Sequence, residues 1–194
     1  MTTVLARAAP DWRAHGLEND ARAPWLAQVA DELAGRIMRN INAAAAVTPV
    51  NLLALTLLAT PRQAMLRADL LRQLELYLAL LALAPYGPRV TVTAETPEAI
   101  LAYGEAMNMI ARQSHKLGDL VRMSDASAVL AAWYRNNVLH LFAMPSLIAC
   151  AFVGNSIMRT EDIHRLVWRV YPYIAAELFI RWPEDEIRAV TDSL

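Results

Sequence analysis

Residues 133–150 read WYRNNVLHLFAMPSLIAC. An aromatic, charged and amide-rich cluster gives way to an apolar run, the whole about five helical turns long. The stretch could be a membrane anchor, a catalytic segment or the centre of a helical core. Length decides against the first. Residues 138–153 number 16 and include His140, Pro145 and Ser146, whereas a spanning helix needs about 20 mostly apolar residues. Apolar residues also lie on every side of this run, as in a buried helix and not a surface one. A helix from about Asn136 to Val153 is therefore expected at the centre of a packed domain.

The surrounding chain fits that expectation. Of 194 residues, 56% are hydrophobic and the formal net charge is -1, with a mean hydropathy of +0.26. This is too apolar for disorder, and the length suits one large domain or one domain with a tail. Lys116 is the one lysine. The chain has no basic excess, so a nucleic-acid partner is not expected. A lone cysteine, Cys150, excludes an intrachain disulfide and a cysteine-built metal site, and it is expected to be buried. The opening MTTVLARAAPDW has no cleavable apolar region, which makes a cytoplasmic face the default expectation.

Residues 1–24 lack periodicity and read as a linker or peripheral arm; residues 25–194 read as helical. Leu26, Val29, Leu33, Ile37 and Ile41 recur at helical spacing, giving a first helix expected to end near Val47. Thr48-Pro49 and Thr96-Pro97-Glu98 pair an N-cap with a proline where its missing N–H costs nothing. Thr60-Pro61-Arg62-Gln63 has the same punctuation and fits a capping box, from which a helix is expected to run to Pro85. RVTVT (89–93) alternates like a short strand. LVRM and AVLAAW could form a small hairpin, although AVLAAWY could also begin a helix. Ile163, Leu166, Val167, Val170, Ile174 and Leu178 form an amphipathic stripe, and WPEDEIRAVTDSL still looks helical where it stops, as a partial sequence would. The fold class expected is mainly α: a multi-helix packed domain with a short β-hairpin.

Chemistry is sparse. His15, His115, His140 and His164 stand at no metal-ligand spacing to one another, and no phosphate-cradling or dinucleotide loop is present. No cofactor or metal is expected. His15 and Asp20, in HGLEND, are spaced as H-x-x-x-x-D, yet two common residues in the least periodic segment are poor material for a rigid site. The candidate cluster is Arg135, Asn136, Asn137 and His140, with Glu177 expected to pair with a partly desolvated Arg135. In a regular helix Asn136 and His140 would share a face, or an asparagine would cap the apolar helix. The cluster reads as structural or as an interface, and no residue is assigned a catalytic role.

TPVNLLALTLLATPRQAM, QLELYLALLALAPY, HKLGDL, WYRNNVLHLFAMPSLIAC and YPYIAAELFIRWPEDEI, in that order, resemble the C-terminal region of the bacterial membrane-associated sn-glycerol-3-phosphate acyltransferases. APDWR and RAPWL resemble the passage following the acyltransferase domain of that family. The resemblance implies a role in moving an acyl group from acyl-CoA or acyl-carrier protein to the 1-hydroxyl of glycerol 3-phosphate. The product would be lysophosphatidic acid, made at the cytoplasmic face of the inner membrane. It also places the family's catalytic His and Asp in an upstream domain, which would be this chain's partner, and makes residues 1–24 the linker after it. HGLEND shares only the spacing of the catalytic motif, so the portion present is expected to be a scaffold without activity of its own, peripheral to the membrane through the larger protein. A helical regulatory or interaction module acting in trans is the alternative reading.

Overall fold

A computed structural model of the chain describes Ala6, residues 24–116 and residues 118–194. His15, Asp20 and most of the expected linker lie outside the described residues. The chain divides into two units, Met1–Ile41 and Asn42–Leu194. The first contains most of helix α1 (Pro24–Asn42).

The second unit holds the core. Its first elements are the two-residue strand β1 (Ala46–Val47) and helix α2 (Pro49–Leu58). The first helix thus ends before the expected Val47, because Thr48 must be extended to cap α2 and Val47 pairs in parallel with Val92 of β3 (Thr91–Val92). Thr48 and Asn51 form a reciprocal capping box with Pro49 at the helix start. Every residue from Asn51 to Leu57 is buried, matching a segment that is apolar on all sides.

Thr60-Pro61 does not open a long helix. Thr60 spends its hydroxyl on the Leu57 carbonyl, 2.7 Å away, and only one 3-10 turn forms, Pro61–Gln63. Arg62 and Gln63 then adopt left-handed backbone (φ 58° and 49°). This turns the chain into strand β2 (Ala64–Leu66), and helix α3 (Arg67–Leu83) starts after it. The override is tertiary: β2 pairs antiparallel with β5 (Leu120–Met123), which pairs antiparallel with β4 (Ile110–Gln113). LVRM is indeed half of a hairpin, but its partner precedes it, and AVLAAWY is helical. Val121 and Met123 of β5 are fully buried while Arg122 between them faces outward, as the period of two requires.

Helix α4 (Pro97–Ala106) is capped by Thr96, whose hydroxyl accepts from the Ala99 N–H. Its buried side is Ile100, Leu101 and Gly104. Tyr103 and Met107 are exposed, because the close approach of α4 to α2 occurs at Gly104, where a Cβ would meet Leu53 Cδ1 at 2.4 Å. Helices α5 (Asp125–Asn136), α6 (Leu139–Ala151) and α7 (Thr160–Leu178) follow, then a 3-10 turn (Glu184–Glu186) and α8 (Ile187–Ser193). The core is continuous from Leu52 and Leu53 of α2 through Leu70 and Leu74 of α3 to Met144 of α6 and Val167 of α7. The fold is mainly α with a small antiparallel sheet. Among the described residues no helix is long and apolar enough to cross a membrane.

Candidate functional site

The opening stretch is a helix, a turn and a second helix. The α5 backbone closes at Asn137, whose N–H bonds back to Trp133 and Arg135 carbonyls. Val138 then leads into α6 without a side-chain cap, so neither asparagine caps the apolar helix. Because α5 stops at Asn136, that residue and His140 share no helical face. Asn136 and Asn137 are exposed, whereas His140 is buried.

Arg135 does not pair with Glu177. Its guanidinium Nε and Nη2 donate to Asn136 Oδ1 at 3.2 and 3.0 Å. Among the described residues no ion pair joins Arg135 to Glu177, which is exposed on α7. Arg135 is half-buried near the end of α5, and its guanidinium is already bonded to the neighbouring Asn136 side chain. The expected cluster therefore separates into exposed Asn136 and Asn137 with the half-buried Arg135, a buried His140, and an exposed Glu177 that forms no ion pair with Arg135.

His140 belongs to a buried polar junction. Its Nε2 lies 3.0 Å from the Asn42 carbonyl oxygen. A carbonyl can only accept, so Nε2 carries the hydrogen and donates. Burial holds the imidazole pKa below its ordinary value, partly offset by this bond, and the ring is neutral at pH 7. The ring meets Tyr86 edge-on at 5.0 Å between centroids. Tyr86 in turn packs against Trp182 and accepts the Arg181 N–H at 3.0 Å. Burial raises the Tyr86 pKa, against the opposing pull of the Arg181 bond and charge. The Asn42 amide donates to the carbonyls of Leu178 and Phe179 at 2.7 and 3.3 Å. These belong to the end of α7, where helical carbonyls lack intrahelical partners. Tyr171 closes the junction by donating to the Trp182 carbonyl at 2.6 Å. With its N–H committed to a backbone carbonyl, His140 ties α6 to the Asn42 backbone.

A second buried amide fixes α5. Asn51, 3% exposed, donates to the Tyr134 carbonyl at 2.7 Å and accepts from the Thr48 N–H at 2.8 Å. The outward face of α5 is apolar: Val129, Leu130 and Trp133 are all exposed, Trp133 to 74%. Leu130 and Tyr134, with Val50, Met107 and Met109, line a cavity of about 240 Å³. Cys150, expected inside, is exposed near the end of α6. Sequence reasoning missed Asn42, Asn51 and Tyr86. Their partners lie 136, 83 and 95 residues away, so no local pattern could have found them.

The family model described as glycerol-3-phosphate acyltransferase C-terminal region matches residues 1–194. The chain is 48% identical over 185 residues to a glycerol-3-phosphate acyltransferase of Xanthomonas campestris pv. campestris, covering 95% of this chain and 21% of that protein. A glycerol-3-phosphate acyltransferase of Pseudomonas aeruginosa (strain LESB58) is 46% identical over 188 residues, covering 97% and 22%. One from Xylella fastidiosa (strain M12) is 44% identical over 186 residues, covering 96% and 22%. The chain thus spans about a fifth of the length of these curated relatives. No solved structure matches.

Proposed function

The chain belongs to the glycerol-3-phosphate acyltransferase C-terminal region family, and from that premise we propose that it is a non-catalytic scaffold of a glycerol-3-phosphate 1-O-acyltransferase. In this reading the acyl group passes from acyl-CoA or acyl-carrier protein to glycerol 3-phosphate in an upstream acyltransferase domain, giving lysophosphatidic acid. The scaffold packs against that domain and shares its peripheral place on the cytoplasmic face of the inner membrane. The observation that carries the reading is full-length agreement with a C-terminal region that makes up about a fifth of the relatives. The apolar face of α5 supports it as the packing surface, and Asn51 and His140 as the bonds that keep that surface in place.

The test is acyl transfer to glycerol 3-phosphate by the purified 194-residue chain. No turnover is expected. Turnover abolished by His15→Ala would replace the scaffold with an enzyme. The packing surface is tested in a complete acyltransferase bearing this region: Trp133→Ala with Leu130→Ser should lower acyl transfer while leaving the isolated region folded.

A further inference from the structure

Helices α7 and α8 line a half-open cavity of about 410 Å³, within the ~300–1,000 Å³ of small-molecule sites. It lies apart from the α5 face and the His140 junction. Buried Ile187 and Thr191 of α8 line it, and Thr191 turns its hydroxyl hydrogen away to the Ile187 carbonyl at 2.8 Å. Trp168 of α7 lines the opening and is 59% exposed. A large indole left in water beside a cavity is a ready face for an apolar group.

The remaining lining is His164 and three charged residues. Arg165 and Arg188 contribute two guanidinium groups and Glu161 one carboxylate. Arg165 is 3.1 Å from Asp162, outside the lining, and Glu161 is 3.9 Å from Arg159. Arg188 forms no ion pair among the described residues. The two helices are pinned beside the cavity by His164, whose Nε2 is 2.6 Å from Asp192 Oδ1. The His164 side chain is 13% exposed, and its Nδ1 is enclosed without a partner, so the ring is held through Nε2 alone. This bond joins α7 to α8 at the cavity that Arg165 and Arg188 both line. A guanidinium presents its N–H donors in a fork that matches the oxygens of a phosphate, and this cavity has two.

We propose that this cavity binds a phosphate monoester carrying an apolar chain, with the phosphate at Arg165 and Arg188 and the chain along Trp168 and Ile187. The choice of phosphate over carboxylate rests on the function proposed above, since glycerol 3-phosphate is a phosphate monoester and acylation gives it such a chain.

Octyl phosphate titrated calorimetrically into the 194-residue chain tests the assignment, with octanoate, octanol, inorganic phosphate and glycerol 3-phosphate as comparison ligands. Saturable binding of octyl phosphate is expected, tighter than that of any comparison ligand. Arg188→Gln and Trp168→Ala, both on exposed residues, should each weaken it by about tenfold, the loss expected for one charge-assisted contact or one buried ring face. Unchanged thermal unfolding would show both variants intact. Absence of saturable binding overturns the site, as does affinity unmoved by either substitution. Octanoate or octanol binding as tightly as octyl phosphate overturns its selectivity for phosphate. None of these titrations measures acyl transfer, so their failure removes the site and leaves the scaffold reading standing. Acyl transfer by the isolated chain would do the reverse.

Discussion

Replacing Asn51 by Ala removes the side chain whose hydrogen bond ties the start of α2 to the end of α5. Asn51 is 3% exposed and makes two contacts of consequence, to the Tyr134 carbonyl at 2.7 Å and from the Thr48 N–H at 2.8 Å. Thr48 is exposed, so its N–H can recover a bond to water. The partly buried Tyr134 carbonyl has less access to a replacement. An orphaned buried group costs about 1–3 kcal/mol, and losing half of a capping box adds about 1 kcal/mol. The expected loss is about 2–4 kcal/mol, which lowers Tm by roughly 4–16 °C at this domain size. Thr48→Ala removes the cap alone and should cost about 0.5–2 kcal/mol. Asn51→Asp keeps the acceptor for Thr48 but sets a carboxylate against the Tyr134 carbonyl, so it should be at least as harmful as Ala. Urea unfolding followed by circular dichroism ranks the three, and amide hydrogen exchange should quicken along α5 in Asn51→Ala. If Asn51→Ala costs no more than Thr48→Ala and Asn51→Asp is tolerated, the Tyr134 bond does not position α5.

Other outcomes follow from the same packing. Leu147→Ala empties a buried position on α6 and should cost about 2–5 kcal/mol in denaturant unfolding; a loss near zero would place that helix side at a surface. Gly104→Ala gains about 1 kcal/mol of helix propensity but drives a methyl into fully buried Leu53, costing about 1–3 kcal/mol. It should be neutral to destabilising, and Leu53→Val in the same chain should recover part of the loss. Because burial lowers the folded-state pKa of His140, the unfolded chain takes up a proton below about pH 6.5 that the folded chain resists. Stability should therefore fall on acidification from pH 7, with the fall ending once the folded-state pKa is passed. His140→Gln should shed that part of the fall, measured as the difference between unfolding curves at pH 7.5 and 5.5. Arg135→Ala should change stability by less than about 0.5 kcal/mol, and a double-mutant cycle with Glu177→Ala should be additive.

The elements legible in the sequence are those specified locally. Thr48-Pro49 and Thr96-Pro97 each supply an extended cap and a proline that needs no donor, and both open helices. The all-apolar faces of residues 51–57 and of much of α6 marked them as interior. Thr60-Pro61 carries a similar signature and fails. Arg62 and Gln63 take left-handed backbone so that residues 64–66 can pair with a strand more than 50 residues on, a gain no window around Thr60 contains. The site divides the same way. Trp133 to Asn137 could be found by composition, but whether each residue faces solvent depends on where α5 stops. The bonds that settle its position come from Asn51, and those around His140 come from Asn42 and Tyr86. Cys150 shows the limit of an apolar-run argument: its neighbours are hydrophobic, yet that side of α6 faces outward.

The claim that this region is a scaffold is tested most directly by acyl transfer to glycerol 3-phosphate in three samples: the 194-residue chain, a complete acyltransferase bearing this region, and that acyltransferase with Trp133→Ala and Leu130→Ser. The account predicts no transfer by the first, transfer by the second, and reduced transfer by the third while the isolated double variant still unfolds cooperatively. Transfer by the 194-residue chain itself would contradict it, as would full activity in the double variant.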